Sequence, residues 1–182
     1  YLRLARAAED CGYDSVWAGE VAGPEVFSLL GVLAASTSRV RLGTGIASVY
    51  PRSPALAAMG FATLASAAPG RILAGIGASS PMIVRDWHGR DFDAPLATVE
   101  GYVAALRAAW AGERVHVERP RTQGFRSSLL PPQAPPIVLA AMNPRMLRLA
   151  GRIADGVFVT WCPPDEVGPR LAYVREGERA AG

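Results

Sequence analysis

Two rhythms of apolar positions alternate along this chain. Short apolar runs at Ser15 to Ala18, Arg41 to Ile46, Arg71 to Ile76, Ile137 to Ala140 and Val157 to Thr160 are bounded by turn-forming residues and read as buried strands. Between them the apolar residues recur at helical spacing. Leu2, Ala5, Ala8 and Cys11 make one stripe, and Gly12 stands where a helix C-cap belongs. Phe27, Leu30, Leu33 and Ala34 line a helix over Pro24 to Ser36, and Pro54 to Ala67 is a helix ended by Ala68-Pro69-Gly70. After a polar loop, Val99, Val103, Leu106 and Trp110 mark the buried face of a helix from Leu96 to Ala111. Further helices are predicted over Pro144 to Ala154 and Asp165 to Arg179. Only residues 112–136 break the alternation, with room for a small strand at Val115 to Glu118 and a stiff connector at Pro131-Pro132 and Pro135-Pro136.

Apolar strands separated by amphipathic helices imply parallel βαβ units, hence the α/β class. Five such strands suit either an open doubly wound sheet or part of a (β/α)₈ barrel, which takes about 250 residues when complete. As a barrel, the chain would hold strands two to six in one domain over residues 1–182, with 112–136 as an irregular insertion. The chain starts without Met inside one helical stripe and stops inside another, so the expectation is an internal piece of a longer protein.

Composition narrows the function classes. Half of the 182 residues are apolar and 19% are charged, as in a globular chain with a sizeable core. The net charge is only +3 and the basic residues are scattered, so neither a nucleic-acid patch nor a membrane-binding patch is indicated. No apolar run reaches the length of a membrane span. All 19 basic residues are Arg, which excludes Schiff-base, P-loop and protein-kinase chemistry for this segment. Cys11 and Cys162, far apart and flanked by apolar residues, read as two buried thiols and not as a disulfide or a metal site. Of the two histidines, His116 alternates with Val115 and Val117 and is expected at the surface, while His88 sits in the loop after the third strand, over the expected mouth, as a minor candidate proton donor.

Two glycine-rich strand ends are candidates for ligand binding. Gly43-Thr44-Gly45-Ile46-Ala47-Ser48 closes the second apolar run. Small residues there let the backbone approach a flat ligand, at the end of the strands where α/β folds bind. Gly75-Ile76-Gly77-Ala78-Ser79-Ser80 approximates a dinucleotide fingerprint. A Rossmann site would follow it with an amphipathic helix, and an acidic residue about 20 positions on at a strand end. Here Pro81 and a polar loop follow, with Asp91 and Asp93 inside that loop. Tight-turn glycines of purely structural use are the plainer alternative.

Four segments in order resemble the luciferase-like flavin- and deazaflavin-dependent oxidoreductases. They are Gly12-Tyr13-Asp14-Ser15-Val16-Trp17 with Glu20; Arg39 to Gly45; Gly70 to Gly77; and Ile137 to Arg145 with Leu149 to Gly156. Trp87-His88-Gly89 and Phe92 to Leu96 resemble the family's loop after its fourth strand. The resemblance implies a TIM barrel with coenzyme F420, or FMN in the alternative branch, across the strand ends. It implies a non-proline cis peptide between Gly45 and Ile46 backing the ring, with Ala47 and Ser48 beside it. Ala78, Ser79 and Ser80 would line the side-chain region, and Met142, Asn143, Arg145 and Met146 would cradle a phosphate at a helix start. Glu20 would face the ring or a substrate polar group, or serve as an ordinary salt-bridge partner. The implied protein is a cytoplasmic enzyme, a homodimer or higher oligomer when complete, acting on a small-molecule substrate.

Departures from the pattern bear on the reaction. Dehydrogenases of this resemblance carry an acidic residue followed by His where this chain has Glu20-Val21, and a proton-donating glutamate where it has Ser80. Hydride abstraction from an alcohol needs a base on the hydroxyl, so a reductase taking its proton from solvent is favoured. An FMN monooxygenase using oxygen and a non-catalytic F420-binding protein are the other readings.

Overall fold

The computed structural model describes residues 1–182. In chain order its elements are α1 (Leu2–Asp10), β1 (Ser15–Ala18), α2 (Val26–Ser36), β2 (Arg41–Thr44), β3 (Ala47–Ser48), α3 (Pro54–Ala67) and β4 (Ile72–Gly77). A one-turn π-helical segment, Ile83–Trp87, follows. Then come α4 (Pro95–Trp110), β5 (Val115–Val117), β6 (Thr122–Phe125), β7 (Ile137–Ala140), α5 (Pro144–Ile153), β8 (Gly156–Phe158) and α6 (Pro164–Ala181). The helix starts follow from capping chemistry. Ser53 Oγ accepts from the Leu56 N–H at 3.2 Å with Pro54 in the first helical position, and Asn143 Oδ1 accepts from the Met146 N–H at 3.0 Å ahead of Pro144. The second helix begins at Val26 and not at Pro24, because the Glu25 carboxylate takes the cap, accepting from the N–H groups of Phe27 and Ser28.

The long strands are all parallel, in the order β1-β2-β4-β7-β8, with β3 pairing β4 beyond the end of β2. Neighbours alternate faces in register, with Trp17 beside Gly43, Gly43 beside Leu73, Gly75 beside Val138 and Ala140 beside Phe158. Leu42, Ile72, Ala74, Ile76, Ile137 and Leu139 point to the helices and are buried with Leu30, Phe61, Leu106 and Leu147. Phe61 anchors this layer, its ring 4.7 Å from that of Phe27 and 6.0 Å from that of Trp110.

Curvature separates the two architectures that the pattern left open. Trp17 on the edge strand β1 and Phe158 on the opposite edge strand β8 have ring centroids 5.4 Å apart. In a flat sheet, four strand spacings would hold them roughly 19 Å apart. The sheet therefore curls upon itself as part of a (β/α)₈ barrel, with helices outside and a glycine-rich concave face within.

Four local expectations change. The second apolar run does not continue as one strand to Ile46 but breaks after Thr44 and resumes at Ala47. Residues 112–136 hold an antiparallel hairpin, β5 with β6, whose second strand Thr-Gln-Gly-Phe lacks an apolar run and forms by pairing alone. The polar loop after β4 contains the π-helical turn. Cys11 is exposed and Cys162 only half-buried; both are free thiols. The first helix buries Ala5 alone, so its stripe leaves Cys11 in solvent at the C-cap. No helix is long and apolar enough to cross a membrane.

Candidate functional site

The C-terminal ends of the parallel strands converge on a bulge. From the pair Gly43–Leu73 to the pair Ala47–Ile76, the β2–β3 side advances four residues while β4 advances three. The extra residue lies within Thr44-Gly45-Ile46, and the Gly45–Ile46 peptide there is cis. The Gly45 N–H donates to Ala18 O at 2.7 Å, and Thr44 Oγ1 donates to Gly75 O at 2.5 Å. This ties the bulge to both flanking strands. The Thr44 carbonyl occupies the space that a Cβ on residue 75 would need, so only glycine fits at Gly75. Around the bulge the concave face carries Gly77 and Ala140, and a wall of backbone stands where larger side chains would otherwise fill the barrel.

The expected site residues divide into three groups. Gly45 and Ile46 are half-buried at the bulge, and Ala47 and Ser48 are buried beyond it, Ser48 opposite Gly77. Ala78, Ser79 and Ser80 leave the end of β4. Ser79 adopts φ 63° and is exposed, while Ser80 Oγ accepts from the Ile83 N–H at 3.4 Å and starts the π-helical turn. At the start of α5, Met142, Asn143 and Arg145 are exposed, and Arg145 makes no ion pair. Met146 departs from the expectation of a cradling side chain. It is buried in the helix-facing core, and its N–H is already held by Asn143.

Of the roles open to Glu20, the structure places it as a salt-bridge partner. Its two oxygens accept from Arg52 at 2.9 and 3.1 Å in a fork, and one also accepts from the Val26 N–H at 3.2 Å. Arg52 donates further to Glu25 at 2.6 Å, and its guanidinium lies 4.6 Å from the centre of the Phe27 ring. Burial alone would lower the Arg52 pKa, but the contacts with Glu20 and then Glu25 outweigh it and raise it. Burial likewise opposes ionisation of Glu25, but Ser28, Phe27 and Arg52 overcome it and hold its pKa down. The Tyr102 hydroxyl, its pKa pushed up by burial, donates to Arg52 O at 3.1 Å and fixes the backbone of the turn. With exposed His88, these charges line a cavity of about 320 Å³ at the strand ends.

Arg52 is the functional candidate that sequence reasoning missed. One signal was present: it is the single charged residue between Arg41 and Arg71. A lone charge in so long an apolar stretch calls for a partner elsewhere in the chain.

Comparison with known proteins gives this geometry a context. A family model described as luciferase-like monooxygenase matches residues 1–182. The chain is 33% identical to a putative coenzyme F420-dependent oxidoreductase of Mycobacterium tuberculosis, over 97% of this chain and 55% of that protein. It is 31% identical to the 5,10-methylenetetrahydromethanopterin reductase of Methanolobus tindarius, over 98% of this chain and 55% of that one. The solved coenzyme F420-dependent tetrahydromethanopterin reductase of Methanopyrus kandleri superposes with a TM-score of 0.91 at 26% identity, over all of this chain and 57% of that structure. The chain thus spans about half the length of the curated relatives it matches.

Proposed function

The chain belongs to the luciferase-like monooxygenase family, and from that premise we propose that it serves an F420-dependent oxidoreductase passing hydride between reduced deazaflavin and a small organic acceptor. The observation that carries this reading is the bare concave face at the strand ends. Gly75, Gly77 and Ala140 leave a flat backbone wall beside the Thr44–Ile46 bulge, which suits a planar ring and not a bulky aliphatic ligand. The two curated relatives named above, one called F420-dependent, support the cofactor.

When bound, reduced F420 supplies a hydride to an electrophilic carbon of a C=C, C=N or C=O group. This chain's part is to hold and orient. The Gly45–Ser48 segment would back the ring, and Ala78, Ser79 and Ser80 would flank the side chain that leaves it. Met142, Asn143 and Arg145 stand at the start of α5, where the unpaired Arg145 guanidinium and the positive end of the helix favour an anionic tail. Glu20 has both oxygens on Arg52, so it orients the turn that carries Arg52 instead of collecting a substrate proton. With the Glu20 carboxylate engaged by Arg52, the site suits reduction, with the proton taken from solvent.

A binding titration of F420 against FMN on the full-length protein tests this, followed by oxidation of reduced F420 with a panel of acceptors. Tight F420 binding with turnover is the expected result. Preference for FMN, with oxygen uptake, would overturn it in favour of a monooxygenase. F420 binding without turnover on any acceptor would make the protein a cofactor carrier.

The partner we infer is a second copy of the chain. The outer helices α2 and α3 contain no charged residue, and they expose Val32, Leu56 and Met59. A solvated helix face of that composition is unusual, and a self-complementary contact would cover it.

A further inference from the structure

The concave face of the sheet has a floor as well as a wall. Barrel interiors are ordinarily filled by branched aliphatic side chains in layers. Here the position beside Trp17 on β2 is Gly43, and the indole occupies the space that glycine releases, with Phe158 against it. A Cβ on Gly43 would overlap three atoms of the Trp17 six-membered ring, so the indole lies flat across β2 at that level. Phe158 meets it from the far edge strand with the ring planes at 50°. Trp17 Nε1 donates to Ser15 Oγ at 3.0 Å, which fixes the ring's rotation. The Trp17 Cβ is 3.4 Å from where a Cβ on Gly45 would lie, placing the indole directly beneath the bulge. Neither Trp17 nor Phe158 belongs to the helix-facing core.

Resting on the F420 reading above, we propose that Trp17 is the floor of the concave face beneath the bulge: the cofactor ring sits against the indole, and Trp17 sets how deep ring and acceptor descend into the barrel. Gly43 is then part of the same device, because any side chain there would drive the indole up toward the bulge. Trp17 acts as a positioning residue and touches the ring without taking part in proton or hydride transfer.

The test uses the full-length protein loaded with F420, read by the fluorescence of the bound cofactor. Indole in contact with a flavin-like ring quenches its emission by electron transfer, and a phenyl ring does not. Trp17→Phe is expected to raise the emission of bound F420 severalfold. Gly43→Ala is expected to weaken F420 binding about tenfold by overpacking, and Trp17→Leu in the same molecule is expected to restore most of that loss. Unchanged emission in Trp17→Phe would overturn the proposal. So would equal weakening in Gly43→Ala and the double variant, or a double variant that regains melting temperature without regaining affinity, since the indole would then serve the fold alone. If the wild-type protein binds FMN and not F420, the cofactor reading fails while the same variants test the floor through FMN emission. Binding of neither ring overturns both.

Discussion

The fork between Arg52 and Glu20 makes a prediction whose size follows from its surroundings. Exposed ion pairs contribute about 0.2–1 kcal/mol, whereas removing one partner of a fully buried pair costs about 3–5 kcal/mol. With side chains 15% and 19% exposed, this pair lies between these limits and nearer the buried one. Arg52→Met removes both forked bonds, the contact with Glu25 and the guanidinium over Phe27, the last adding about 0.5–1 kcal/mol. The expected loss is about 3 kcal/mol. Glu20→Gln should cost less, about 1 kcal/mol, because Arg52 keeps Glu25 and a neutral amide still accepts one bond. A double-mutant cycle by urea unfolding should therefore give a coupling of about 1.5 kcal/mol. Tyr102 would be unmoved, since its hydroxyl binds the backbone carbonyl of residue 52 and not the side chain. A coupling below about 0.5 kcal/mol would mean that the pair behaves as an ordinary surface contact. The Glu20 carboxylate would then be free to leave Arg52, and it would return as a candidate base.

Other expectations follow from single contacts. Glu9 accepts from the N–H groups of Arg39, Val40 and Ser38, led by Arg39, and these contacts lower its pKa to about 2. Since its folded-state value lies below the ordinary 4.5, its contribution to stability is present above that pH and is lost as pH falls toward 2. Thermal melts of Glu9→Gln should accordingly vary less with pH across that window than those of the parent. Phe61→Ala should cost about 3–5 kcal/mol in chemical denaturation, because the ring is fully buried between Phe27 and Trp110 and leaves a cavity the helices cannot close. Met59→Arg, at an exposed position on the uncharged α3, should shift the sedimentation coefficient of the full-length protein from dimer to monomer; an unchanged value would place the self-contact elsewhere.

Much of the architecture was legible in the sequence because it is encoded locally. Pro54 behind Ser53 and Pro144 behind Asn143 announce helix starts through side-chain oxygens a few residues from the groups they cap. The apolar runs identify parallel strands because a strand buried on both sides has no polar face to show. Glycine at 43, 45, 75 and 77 marked the strand ends where atoms of neighbouring strands approach closely, since such approach leaves that trace in composition.

What remained for tertiary structure was whatever depends on partners distant in sequence. Glu20 and Arg52 are 32 residues apart, and no periodicity relates them; only the convergence of β1 and β3 makes one carboxylate unavailable. The same strand pattern serves an open sheet or a barrel, because the helix-facing residues are alike in both. The choice rests on the opposite face, where glycines let the sheet curl until Trp17 reaches Phe158. Sequence therefore determined which residues form strands and helices and where the backbone comes close at the strand ends, all short-range matters of backbone and burial. Curvature, the bulge register and the pairing of buried charge were decided by tertiary structure, because each is a property of surfaces that meet only after folding.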